Sequence, residues 1–217
     1  MLEAQREAVA GASRRLAAQG LVAGTSGNVS AREGEHVAIT PTGGKLAELT
    51  AQDVSVVSLD GEHVDGALAP TSEIALHLGV YERYGAGAVV HTHAPMGTAL
   101  GLVLDELPCV HYEMLALGGT VRVAPYVTFG TPELAKAVLD ALEERTAALM
   151  ANHGTIAFAH DVAEAVRRAE LLEWACTLYW RAAQLGEPRT LDEAARRAVV
   201  EAALARGYGT TKKAEGA

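Results

Sequence analysis

The chain has few cysteines, few aromatic residues, a deficit of positive charge and no long apolar run, and these shortages narrow what it can do. Its two cysteines, Cys109 and Cys176, lie far apart in apolar surroundings. They have neither the density of a disulfide scaffold nor the spacing of a cysteine metal site, so a reducing cytoplasm is the expected setting. Lys and Arg number 18 against 27 Asp and Glu, giving a formal charge of -9. Such a chain offers no general basic field to nucleic acid or to a membrane surface, and an anionic ligand has to be met by local donors. No stretch approaches the roughly 18 uninterrupted apolar residues of a membrane span, and Glu3 and Glu7 sit where an export signal would be apolar. A soluble, unprocessed protein is expected. Neither a Walker A sequence nor a GxGxxG fingerprint occurs, which leaves nucleotide binding without a motif.

What is present is enough apolar material, 49% of 217 residues, to fill the core of one domain covering residues 1–217, with 210–217 as a flexible polar tail. Leu2, Val9 and Leu16 mark an amphipathic helix over 2–19, terminated by Gly20. The run Gly24-Thr25-Ser26-Gly27-Asn28 reads as a loop. Val37 to Thr40 reads as a strand closed by a second glycine loop, Pro41-Thr42-Gly43-Gly44. Val54 to Leu59 is β-rich, and Asp60-Gly61 is a hairpin signal leading to His63-Val64. Thr71 or Ser72 is positioned to cap a helix over about 73–84, which places Glu73 in its first turn. Residues 88–93 form a short apolar strand ending in histidines and stopped by Pro95, and 121–127 and 147–151 give two more strands. Between these two, Thr131 and Pro132 start a helix. Asp161 and Glu164 resemble a capping box for a helix reaching Leu185, and 191–206 is a further helix. Strands and helices interleave without a regular βαβ rhythm. The expected fold is therefore a single α/β domain with a mixed, largely antiparallel central sheet and helices on both faces.

The chemistry-bearing residues are histidines and hydroxyls. In a strand, residues two apart share a face, so His91 and His93 project together. That pair is either a polar strand end or the start of a metal site, and spacing alone leaves both readings open. His153 ends another apolar run beside Gly154 and supplies a third imidazole. Three protein ligands with one open position is the catalytic pattern for zinc. His77 lies one helical turn beyond Glu73 and can share its face as a neighbour rather than a ligand. Thr25, Ser26 and Asn28, Thr42 and Gly43, and Thr71 and Ser72 fall in three turns rich in hydroxyl and amide donors. Each turn can serve only the fold, or the set can hold an anion, with the last pair at a helix N-terminus where dipole and free amides favour one. Glu73 reads either as a complement to that helix dipole or, beside a metal, as a proton-transfer group.

Taken in order, Gly24-Thr25-Ser26-Gly27-Asn28-Val29-Ser30, Thr40-Pro41-Thr42-Gly43, Thr71-Ser72-Glu73, Val89-Val90-His91-Thr92-His93-Ala94 and Asn152-His153-Gly154 resemble the class II aldolase and adducin-head family, on its fuculose-phosphate branch. His111-Tyr112, Gly118-Gly119 and Ala124-Pro125-Tyr126 through Phe129-Gly130 continue the resemblance, which spans about residues 5–208. It implies one Zn2+ per subunit on His91, His93 and His153, with Glu73 as a fourth ligand or as the acid/base. It also implies a phosphate site from Thr25, Gly27, Asn28, Thr42, Gly43, Thr71 and Ser72. Tyr112 would protonate the aldehyde oxygen from a neighbouring subunit of a homotetramer whose sites lie at subunit interfaces. Tyr208 would shape stereochemistry beneath a closing tail, although Gly209-Thr210-Thr211-Lys212-Lys213 departs from the branch's ending. The implied reaction is reversible cleavage of a ketose 1-phosphate, such as L-fuculose 1-phosphate, to dihydroxyacetone phosphate and a small aldehyde such as L-lactaldehyde. Three other members of the family are alternatives. The pentulose-5-phosphate 4-epimerases carry Asp in place of Glu73, the methylthioribulose-1-phosphate dehydratases also work on a phosphorylated ketose, and the adducin-type scaffolding domains lack the histidines.

Overall fold

The computed structural model describes residues 1–206, and its sheet has nine strands. They are β1 (Asn28–Glu33), β2 (His36–Ile39), β3 (Ser55–Ser58), β4 (His63–Asp65), β5 (Ala88–Thr92), β6 (Glu106–Leu107), β7 (Val121–Ala124), β8 (Ala147–Met150) and β9 (Gly154–Ala159). They lie in the order β4-β3-β2-β1-β5-β9-β8-β7-β6. Every pairing is antiparallel except β7 with β8, so the mixed, largely antiparallel sheet expected from the sequence is the one observed.

Six α-helices cover the sheet: α1 (Glu3–Ala18), α2 (Ile74–Tyr84), α3 (Pro95–Gly101), α4 (Pro132–Ala141), α5 (Val162–Leu185) and α6 (Glu193–Arg206). The central strands are apolar on both faces, and their alternation sorts side chains between two cores. Ala88 and Val90 of β5, with Ala157 and Ala159 of β9, pack among α1, α3 and α5. Val89, Ile156 and Phe158 face the other way, into α2 and α4. The same parity directs His91 toward α2, and this choice of face creates the site.

Several local expectations need correction. Glu73 is not in the first turn of α2 but at its N-cap, and neither Thr71 nor Ser72 caps the helix. Thr71 Oγ1 instead accepts from the Glu73 backbone N–H at 3.3 Å, a tight turn that swings the Glu73 side chain toward the sheet. Pro95 does not merely stop β5; it opens α3, where its missing N–H costs nothing. The loop read over 24–28 gives way to β1 at Asn28 itself, and β9 follows His153 directly. The capping box at α5 is half formed. Asp161 accepts from the Glu164 N–H at 2.8 Å, but the Glu164 carboxylate binds Arg167 and Arg168 instead of reaching back. At α4 the Thr131 cap forms as expected, with Oγ1 accepting from Leu134 N–H at 3.2 Å.

Candidate active site

Three strand-end segments bring three imidazoles together. His91 is the fourth residue of β5, His93 lies just past its end, and His153 sits in the tight turn between β8 and β9. Asn152 takes a left-handed conformation (φ 55) to make that turn. The three rings stand nearly perpendicular to one another, with centroids 4.9 to 5.1 Å apart. Their ligating atoms all lie within 4.8 Å of one another. Gly154 makes this approach possible, because a Cβ there would stand 2.3 Å from the Thr92 carbonyl oxygen and 3.1 and 3.3 Å from the His93 and His91 rings.

The chemistry of this donor set fits a cation. His91 Nδ1 lies 2.9 Å from the backbone carbonyl of Thr155, which can only accept, so Nδ1 carries the proton. The lone pair of His91 Nε2 is then turned toward His93 Nε2 at 3.1 Å and Glu73 Oε2 at 3.2 Å. Glu73 Oε1 is buried without a hydrogen bond, 3.3 Å from His153 Nε2. Lone pairs converging at these separations repel unless positive charge lies among them. The spacings approach the roughly 3.4 Å edge of a tetrahedron with metal–nitrogen bonds of about 2.1 Å. Burial lowers His93 to about 4 and also lowers His153. Both are therefore neutral, ligand-ready imidazoles near pH 7. Burial would push the Glu73 carboxyl up, but its polar surroundings, with the Asn28 amide donating to it at 2.9 Å, hold it well below the usual carboxylate range and keep it ionised.

Above the histidines opens a cavity of about 560 Å³. Of the residues expected from the sequence, Thr25, Gly27, Asn28, Thr42, Gly43, Thr71, Ser72, Glu73, His93 and His153 line it, so the three hydroxyl-rich turns do meet at one mouth. His91 lies beneath, fully buried. Tyr112 does not reach this cavity from within the chain. It begins a 3-10 turn over Tyr112–Leu117, stacks near His111 with ring centroids 4.5 Å apart, and lines a different groove with α6. Tyr208 lies outside the described residues. Among the described residues lining the cavity there is no lysine or arginine, and the anion donors these residues offer are neutral hydroxyls and amides.

Ser26 and Pro41 from the same turns also line the cavity, and sequence reasoning gave no role to the remaining wall residues Tyr126, Val127, Phe129 and Asn152. Tyr126 and Phe129 are 63% and 67% exposed, and aromatic side chains held in solvent beside a polar cavity are the signal that single-residue reading passes over.

Residues 7–180 match the family described as the class II aldolase and adducin N-terminal domain. A 5-deoxy-D-ribulose 1-phosphate aldolase of Bacillus thuringiensis serovar kurstaki is 39% identical over 196 residues, 89% of this chain and 92% of that one. The L-fuculose phosphate aldolase of Escherichia coli strain K12 is also 39% identical, over 171 residues, 78% of this chain and 79% of that one. Among solved structures, an L-fuculose 1-phosphate aldolase superposes with a TM-score of 0.87 at 33% identity, covering 91% of this chain and 94% of the other.

Proposed function

The chain belongs to the class II aldolase family and is an aldolase-type lyase, and from that premise we propose that it is a zinc enzyme cleaving a short ketose 1-phosphate reversibly to dihydroxyacetone phosphate and a small aldehyde. The observation that carries this reading is the placement of one buried carboxylate, Glu73, against His91 and His153 of a three-imidazole cluster at the floor of a cavity whose mouth is lined by neutral anion donors.

Zinc held by His91, His93 and His153 supplies the Lewis acidity that stabilises negative charge on the substrate's carbonyl oxygen. The remaining work falls to the chain. Thr25, Gly27, Asn28, Thr42, Gly43, Thr71 and Ser72 hold the phosphate, Thr71 and Ser72 standing just ahead of the amide-rich start of α2. When the bond between C3 and C4 breaks, its electron pair stays with the dihydroxyacetone phosphate half, and the C4 hydroxyl loses its proton as the aldehyde forms. The ionised Glu73 takes a proton from C3 of dihydroxyacetone phosphate in the condensation direction; in cleavage the proton lost by the C4 hydroxyl passes to Tyr112 of a neighbouring subunit, C3 receives its proton from Glu73, and the two groups re-equilibrate through solvent. Anchoring the phosphate keeps C3 in register with Glu73. A homotetramer with shared sites, in the cytoplasm, fits this assignment of Tyr112 and the two buried free cysteines.

Fuculose phosphate and 5-deoxyribulose phosphate are handled by relatives of equal identity, and both sugars end in a methyl group. The apolar wall of Tyr126, Val127 and Phe129 suits such an end. The decisive experiment incubates zinc-loaded protein with L-fuculose 1-phosphate and with 5-deoxyribulose 1-phosphate and follows release of dihydroxyacetone phosphate and aldehyde. Cleavage of either supports the proposal. Dehydration or epimerisation without cleavage would overturn it in favour of the dehydratase or epimerase reading.

A further inference from the structure

Behind Glu73 lies a row of buried polar groups that starts at Asn28 on the cavity wall and runs inward through Ser30, His77 and Tyr81, three residues that do not line the cavity. Asn28, Ser30, His77 and Tyr81 are all nearly or wholly shielded from solvent. They alternate between two elements. Asn28 and Ser30 are two apart on β1 and share its α2-facing side, while Glu73, His77 and Tyr81 are four apart along α2. Two strand residues span about 6.8 Å and four helical residues about 6 Å, so the two rows interleave.

The direction of each bond in this row is fixed by what its ends can do. The Glu73 carboxylate only accepts, so the atom facing it at 2.9 Å is the Asn28 amide nitrogen. Asn28 Oδ1 then faces His77 Nε2, which has to donate. His77 is wholly buried, and burial lowers it to about 3, so the ring is neutral and, with Nε2 donating to Asn28, Nδ1 has only a lone pair. Nδ1 accepts from Ser30 Oγ–H at 2.7 Å, and Ser30 Oγ in turn accepts from the Tyr81 hydroxyl at 2.5 Å. The bonds all point one way, from Tyr81 through Ser30, His77 and Asn28 to Glu73.

We propose that His77 is a positioning residue for Glu73, held in its Nε2–H tautomer by Ser30 and Tyr81 so that the Asn28 amide cannot flip and its N–H stays on the carboxylate. A flipped Asn28 would set its oxygen against the Glu73 carboxylate and its amide hydrogens against His77 N–H. Both contacts repel. His77 therefore governs the orientation of the proton-transfer group without touching substrate. The proposal rests on Glu73 being that group.

Nitrogen–proton correlation spectra of the wild-type protein test the chain without any substrate: His77 is expected as the neutral Nε2–H tautomer, and an Nδ1–H tautomer or an imidazolium would overturn it. If no ketose phosphate is cleaved, the aldolase reading fails, whereas the tautomer stands or falls by itself. With activity in hand, His77→Phe should keep its zinc and a near wild-type KM while losing about 10-fold or more in kcat, the consequence of losing hydrogen bonding to a charged group. His77→Gln, whose amide can replace the Nε2 donor, should recover most of that loss. Wild-type kcat in His77→Phe, a loss confined to KM, or no recovery in His77→Gln would each refute the role. Should the phenylalanine variant fail to fold, the wild-type tautomer decides the matter.

Discussion

Replacing Gly154 by alanine tests how tightly the backbone itself defines the metal site. Gly154 does not lie in the left-handed region, so any residue could adopt its conformation, and glycine is required there by space alone. The added Cβ would meet the Thr92 carbonyl oxygen at 2.3 Å, about 1 Å inside ordinary contact. Backbone faces backbone at that point, and no flexible side chain can yield. Relief has to come from parting β5 and β9 at the Thr92–Thr155 pair, beside His91, His93 and His153. Overpacking of this kind costs about 1–3 kcal/mol in the metal-free protein. Displaced ligands should cost a further 10- to 100-fold in zinc affinity, by analogy with disturbed ligand supports. Chelator competition reads the affinity directly. Thermal unfolding with chelator and then with saturating zinc should show the stability gap between variant and wild type widening by about 1.4–2.8 kcal/mol when metal is added. An identical gap in both conditions, with wild-type zinc affinity, would refute the role given to Gly154.

Three further outcomes follow from the site. Because His77 is lowered from 6.5 to about 3 in the folded protein, the unfolded chain takes up its proton first as pH falls. His77 therefore contributes stability that is full above about 6.5 and lost progressively down to about 3, at about 1.4 kcal/mol per pH unit. Denaturant melts of the metal-stripped protein should show His77→Gln flatter than wild type by that slope across this window, and parallel curves would contradict the burial argument. Ser72→Ala removes one neutral donor from the proposed phosphate site and should raise KM by roughly 2- to 10-fold with kcat retained, as initial-rate kinetics will show. With no lysine or arginine among the described residues lining the cavity, KM should also depend only weakly on salt.

The parts legible in the sequence are those governed by local rules. Helix α4, with Thr131 and Pro132 at its start, and the hairpin at Asp60-Gly61 follow from caps and turns. The pairing of His91 with His93 follows from strand alternation. Strands β1 and β9 were hidden for opposite reasons. The first begins inside a run of turn residues, and the second, Gly154–Ala159, is apolar on both faces and shows no alternation. The Glu73 cap was misread because a tertiary contact decides it. The Asn28 amide on the neighbouring strand, not the helix dipole, sets where the carboxylate points. The same limit applies to Tyr126 and Phe129, whose place on the cavity wall depends on where the fold carries the loop between β7 and α4. His77 lay on the face shared with Glu73, as helical spacing predicts, but its partners come from β1 and could be seen only in the fold.

The central claim is that Glu73 moves a proton at the carbon of dihydroxyacetone phosphate beside a metal held by His91, His93 and His153. The most direct test needs no aldehyde: dihydroxyacetone phosphate is incubated with zinc-loaded protein in deuterated water, and the hydroxymethyl protons are followed by NMR. The wild-type protein should exchange one of the two protons. Chelator treatment should abolish exchange, and Glu73→Gln should abolish it while retaining zinc. Exchange at the wild-type rate in Glu73→Gln, or none in the zinc-loaded wild type, would contradict the assignment.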